Sequence, residues 1–105
     1  MALESLSSAI ARLEAKGFRH SLRARRGALR IIETDETLDP EALQIEEIVR
    51  FEGESDPDDE IVIYALNDAG RGARGTYVVT YGTYVDPLDA EMLLRLSRRA
   101  ARSRM

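Results

Sequence analysis

Apolar residues recur along this chain with two different periods. Leu3, Leu6, Ile10 and Leu13 follow a 3-4-3 spacing, which places them on one face of a helix. Gly17, with Lys16 just before it, predicts where that helix stops. From Phe18 onward the period becomes two. Phe18, His20, Leu22 and Ala24 alternate with Arg19, Ser21, Arg23 and Arg25, which reads as a strand with a basic outer face. Arg26-Gly27 predicts a tight turn, and "ALRIIE" returns as a second strand. "TDETLDPEAL" is polar, and Pro40 opens at most a turn of helix.

"LQIEEIVRFE" fits neither period cleanly. Its β-branched residues and the Gly that follows favour a strand, with a bulge near Glu46-Glu47. "EIVIYALN" is almost continuously apolar and is read as a central strand. "GTYVVTYGTYV" follows as its hairpin partner through a Gly-rich loop, and Gly82 predicts a bend near its end. The closing segment is a helix that Asp86 or Asp89 can cap, with Leu88, Met92, Leu93, Leu96 and Ala100 along one face. This order predicts an α+β fold in a single domain, residues 1–105, with its last few residues disordered. The expected sheet is antiparallel, with about five strands and the N- and C-terminal helices packed on one face.

Charge changes the picture by being segregated. Residues 11–30 carry seven basic groups against one acid, residues 31–60 one Arg against thirteen acids, and residues 61–105 seven basic groups against four acids. These blocks can pair within the domain or between copies, so a homo-oligomer is possible. The net charge of −4 does not favour nucleic acid, and the Arg-rich tail reads as a solvated helix face. The chain has no cysteine, which removes thiol chemistry and Cys-ligated metal sites. A cytoplasmic location is expected. The first helix is interrupted by Glu4, Arg12 and Glu14, so neither a signal segment nor a membrane span is expected there.

Candidate chemistry is sparse. "GRGARG", Gly70–Gly75, has the spacing of a dinucleotide fingerprint, but a strand is predicted to follow where that fingerprint needs a helix. The reading is a hairpin loop, in which Arg71 and Arg74 could hold an anion. Asp56, Asp58 and Glu60 begin like a calcium loop, but Ile61 and Asn67 occupy its sixth and twelfth positions. That stretch reads as a charged inter-strand connection, and neither a metal nor a cofactor is expected. His20 is the one histidine, and no partner for catalysis can be assigned to it. Tyr77, Val79 and Tyr81 share a strand face, suited to cross-strand packing or to a phenol on an uncovered sheet face.

"FEGESDPDD", "IVIYAL" and "YGTYVDPLDAEM" resemble segments of a family of small bacterial proteins of about this length. Many of its members bear the name phosphoribosylpyrophosphate synthetase. The resemblance covers most of residues 1–97 and is strongest from Phe51 to Met92; it brings no established catalytic residues. The name implies pyrophosphate transfer from ATP to ribose phosphate. That chemistry uses paired acids followed by a phosphate loop at a strand-to-helix junction. Here "IVIYALNDAGRGARGTYV" offers only Asp68 and runs strand to strand, so synthetase activity is not expected.

The resulting expectation is a small, non-enzymatic binding or interaction module with a protein or small-molecule partner. Asp56, Asp58, Tyr81, Tyr84 and Asp86 are the candidate ligand residues, on segments that share one end of the sheet. One alternative is a small enzyme or sensor for a phosphorylated metabolite, with Arg71 and Arg74 on the anion and Mg²⁺ on the acidic stretch. Another is a self-associating structural protein.

Overall fold

The computed structural model describes residues 5–52, 60–68, 70, 72–81 and 85–103. Helix α1 (Leu6–Ala15) begins at Ser5, whose hydroxyl accepts from the Ser8 amide at 3.1 Å. It ends in a Schellman motif. The Phe18 amide donates to the Leu13 carbonyl and the Gly17 amide to that of Glu14, with Gly17 at φ 105°. Strands β1 (His20–Arg25) and β2 (Ala28–Ile31) form the expected hairpin, in register from Leu22–Ile31 to Arg25–Ala28. A short β3 (Thr37–Leu38) adds a strand that the polar stretch had concealed, and a 3-10 turn follows at Pro40–Ala42. Then come β4 (Gln44–Glu52), β5 (Glu60–Asp68), β6 (Ala73–Tyr81) and helix α2 (Pro87–Ser103). The register of β4 shifts between Ile45 and Glu47, where the bulge was expected.

The sheet has six strands rather than five, in the order β3-β2-β1-β6-β5-β4. Nor is it wholly antiparallel, because β1 and β6 lie side by side in parallel. Two antiparallel meanders, β1–β3 and β4–β6, are joined by that one parallel seam.

The two helices occupy opposite faces of the sheet, not one. Alternation along β5 decides this. Val62, Tyr64 and Leu66 belong to a core with Met92 and Leu96 of α2. Ile63 and Ala65 belong to a second core with Ala9 and Leu13 of α1. The apolar run at 61–66 is therefore apolar because both faces of β5 are covered. The result is a three-layer domain, helix–sheet–helix.

Polar ties fix each helix. Glu47 accepts from Arg12 at 2.8 Å and from Lys16 at 3.4 Å, holding α1 against β4. The Arg12 hydrogen bond holds the Glu47 carboxyl below its ordinary carboxylate range, so this contribution is present above that range and fades on acidification. On the other face, Arg95 donates to the Gly27 carbonyl at 3.1 Å and meets Glu41 at 3.4 Å, while Arg99 donates to the Pro40 carbonyl. The arginines of α2 that read as a solvated face thus grip the β1–β2 turn and the Pro40 turn. Here part of the charge segregation is settled within the domain.

Candidate functional site

The seam between β1 and β6 is short. Its register pairs are His20–Gly75, Ser21–Thr76 and Leu22–Tyr77. Beyond them β1 runs on to Arg25, held on its far edge by β2. Strand β6 runs on to Tyr81, held on its far edge by β5. Between Arg23–Arg25 and Val78–Tyr81 the two strands share no register pair, and the sheet parts. A cleft of about 350 Å³ opens there, lined by Leu22, Arg23, Ala24, Tyr77, Val78, Asp86, Leu88 and Asp89. The first turn of α2 forms its roof.

Three polar groups give the cleft its chemistry. Asp86 caps α2, accepting from the Leu88 amide at 2.8 Å on one of its two oxygens. Tyr77, almost wholly buried, donates its phenol proton to Asp89 Oδ1 at 2.6 Å. Its ring stacks on Tyr64, centroids 6.5 Å apart. Arg23 of β1 also lines the cleft, between Leu22 and Ala24, which face the α2 core. Burial, followed by the Asp89 bond, pushes the Tyr77 phenol far above its ordinary range. The group is a fixed donor at neutral pH, not a base.

Tyr77→Phe is expected to lower stability at neutral pH by about 1–2 kcal/mol, the usual worth of a bond to a carboxylate. Because folding raises this ionisation, the contribution is complete below about pH 10 and is lost progressively as pH rises beyond it. Urea unfolding of both proteins across that range checks both statements. Equal stability at neutral pH shows that the bond contributes nothing.

Asp86 is the one predicted ligand residue that the structure places in the cleft. Tyr81 ends β6, on the strand that forms one wall. Asp56, Asp58, Tyr84 and Arg71 lie outside the described residues, as do residues 104–105. The expected shared end of the sheet has support in the register: Glu52 pairs with Glu60, and Glu60 with Tyr81. The connection 53–59 and the segment after Tyr81 therefore leave from one row.

Arg74 is committed elsewhere. Its guanidinium donates to the Lys16 carbonyl at 2.8 Å and lies 4.1 Å from the Phe18 ring centroid, under the end of α1. The second half of "GRGARG" is already strand, since Ala73, Arg74 and Gly75 of β6 pair with Asp68, Asn67 and Leu66 of β5. Asp68 ties it down, accepting from the Gly70 amide on its side chain and from the Gly72 amide on its carbonyl. His20 is half-buried, with Nδ1 at 3.5 Å from Glu33, which also accepts from the Ser21 amide. Tyr77 faces α2 rather than an uncovered sheet. Among the described residues no group of three His, Cys, Asp or Glu is placed to hold a metal, and no helix is long and apolar enough to cross a membrane.

Sequence reading missed Arg23, Tyr77 and Asp89 as site residues. Asp89 was visible only as a capping alternative, and Tyr77 as cross-strand packing or as a phenol on an uncovered sheet face. Compared with known proteins, the chain matches no family model, no curated protein and no solved structure.

Proposed function

We propose that this protein is a non-catalytic binding module that holds a small polar molecule in the cleft between β1 and β6. The observation that carries the reading is the parting of the parallel seam beneath the start of α2. Sheets with parallel strands receive ligands outside the strands' carboxyl ends, where neighbouring strands lead apart. Asp86 and Asp89 are already hydrogen-bond acceptors, and each keeps capacity for a further N–H. Arg23 is the cationic residue among those that line the cleft. The set suits a zwitterionic ligand, with an ammonium toward the carboxylates and an anionic group toward Arg23. Among the described residues that line the cleft there is no Ser, Thr, Cys, Lys or His. The segments that carry the family resemblance, Phe51–Asp59 and Tyr81–Pro87, lead to this same end of the sheet.

The alternative, an enzyme or sensor for phosphorylated metabolites, has less support because Arg74 is engaged at α1. A thermal-shift panel of amino acids, diamines, nucleotides and phosphosugars, each with and without Mg²⁺, separates the two readings. A ligand that binds the folded state raises the melting temperature. The binding reading expects a rise with a zwitterion that Arg23→Gln abolishes. A rise confined to phosphosugars or nucleotides with Mg²⁺ overturns it.

A further inference from the structure

Strand β4 ends the sheet, and among the described residues no strand pairs with its outer side. The two edges of the sheet differ. Strand β3 has two residues, too few to template a partner, whereas β4 runs from Gln44 to Glu52. The backbone polarity of β4 follows from the β5–β6 hairpin. The Asp68 carbonyl accepts from the Gly72 amide on the β6 side, so even-numbered residues of β5 bond to β6 and odd-numbered ones to β4. Val49 and Phe51, opposite Ile63 and Ile61, therefore bond inward. Ile48, Arg50 and Glu52 turn N–H and C=O outward. The side chains at this edge are also incompletely covered. Ile45 and Ile48 on one face, and Val49 and Phe51 on the other, are only partly buried, while Val62, Ile63 and Tyr64 of the neighbouring strand are almost wholly buried. One further strand would pair the outward groups and cover these side chains.

Charge selects that strand. Glutamates, an arginine and a bulge on an edge normally keep it from pairing. Here they leave one register open to a second copy of β4. A two-fold antiparallel pair is defined by the residue at its centre. Centring it on Glu46, Glu47 or Arg50 sets that residue against itself, and centring it on Val49 sets Glu46 against Glu52. Each of these puts like charges face to face, which is destabilising. Centring it on Ile48 sets Ile48 against itself, Glu47 against Val49, and Glu46 against Arg50, the last pair made twice by symmetry. Glu46 accepts from Asn67 at 3.3 Å, and Arg50 has an interaction within its own chain; neither contact removes the charge that selects the register. The register shift between Ile45 and Glu47 interrupts the ladder, so the favoured pairing is short, from Glu46 to Arg50.

We infer that β4 pairs with β4 of a second copy, antiparallel about Ile48, so that two sheets become one. The cleft between β1 and β6 lies on the other side of β5, and the pairing leaves it open.

Sedimentation equilibrium is expected to show the mass of the natural chain doubling between micromolar and millimolar concentration. Glu46→Arg sets arginine against Arg50, and Arg50→Glu sets glutamate against Glu46. Each variant alone is expected to self-associate more weakly by about tenfold or more, since both symmetry-related pairs turn repulsive. Mixed one to one, the two variants are expected to associate with each other about as tightly as the natural chain, because every charged pair across the axis is again opposite in sign. Hydrogen exchange at the Ile48 and Arg50 amides, slower at millimolar than at micromolar concentration, reads the same contact without any substitution. A natural chain that stays monomeric at millimolar concentration overturns the inference, as does exchange at these amides that ignores concentration. So does a dimer that survives either substitution. Folded single variants that stay apart when mixed overturn it as well, by placing the contact elsewhere.

Discussion

Truncating Leu13 or Leu96 to alanine costs about 3 kcal/mol in each case, and the double variant loses the sum. Both side chains are completely buried. Leu13 fills the layer between α1 and the sheet, and Leu96 the layer between α2 and the sheet. Each truncation leaves a cavity that its own layer must absorb. The sheet stands between them, and the two sets of buried neighbours have no member in common. Sites without shared partners add to within a few tenths of a kcal/mol, about 0.3–0.5. A single layer with both helices on one face would put these leucines in one core, and their effects would interact. Urea unfolding of the two single variants and the double measures this directly. A coupling of more than about 1 kcal/mol contradicts the three-layer arrangement. The summed loss rivals the whole stability of many domains, about 5–15 kcal/mol, so the double variant is best measured at low temperature with a stabilising osmolyte.

Gly75→Ala is expected to destabilise by about 2–3 kcal/mol, although it adds only one methyl group. A β-carbon at Gly75 would stand 2.7 Å from the His20 carbonyl oxygen and 3.1 Å from His20 Cβ. The nearest obstacle is main chain of the paired strand, which cannot rotate away like a side-chain tip. His20–Gly75 is also the first register pair of the seam, so the strain falls where the two meanders are joined. For a domain of this size the melting temperature falls by about 4–8 °C per kcal/mol. Gly70→Ala serves as the control, since among the described residues its added carbon meets only Asp68 Oδ1, at 3.4 Å. If both variants melt alike, the close approach at the seam carries no strain. The cleft opens two residues beyond Gly75, so Gly75→Ala should also weaken any ligand held there.

Local pattern made the elements legible. The spacing of Leu6, Ile10 and Leu13 gave α1, Arg26-Gly27 gave the first hairpin, and the irregular period around Glu46-Glu47 located the bulge. The side each helix takes was written less directly. It lay in the unbroken apolar run of β5, which needs cover on both faces, and "central strand" used only half of that information. The β1–β6 seam left no local mark, because pairing of the first strand with the last is a contact between residues 20–22 and 75–77. The candidate site inherits that difficulty. Asp86 was legible as the end of the segment from Tyr81 that follows a strand, and as one of two possible caps of the last helix. Arg23 and Tyr77 enter the cleft only through the seam, and each looks ordinary in its own strand. Arg74 misled for the converse reason. Its glycine-flanked setting suggested a free loop, but the Asp68–Ala73 pairing starts the strand early and turns Arg74 toward α1.

The placement of the helices also makes the two halves of the chain depend on each other. The first half supplies α1, but α1 buries its face against β4 and β5 and is capped by Arg74 of β6. The second half supplies α2, and α2 reaches back through Arg95 and Arg99 to Gly27, Pro40 and Glu41 of the first. Each meander therefore carries the clamp that the other needs. Neither half owns a complete core, and the helices can close only after residues far apart in the chain have met, an arrangement that slows folding. A chain cut near Leu43 would yield two pieces that are each incomplete alone but complementary in trans, a natural split point for reconstituting the domain from fragments.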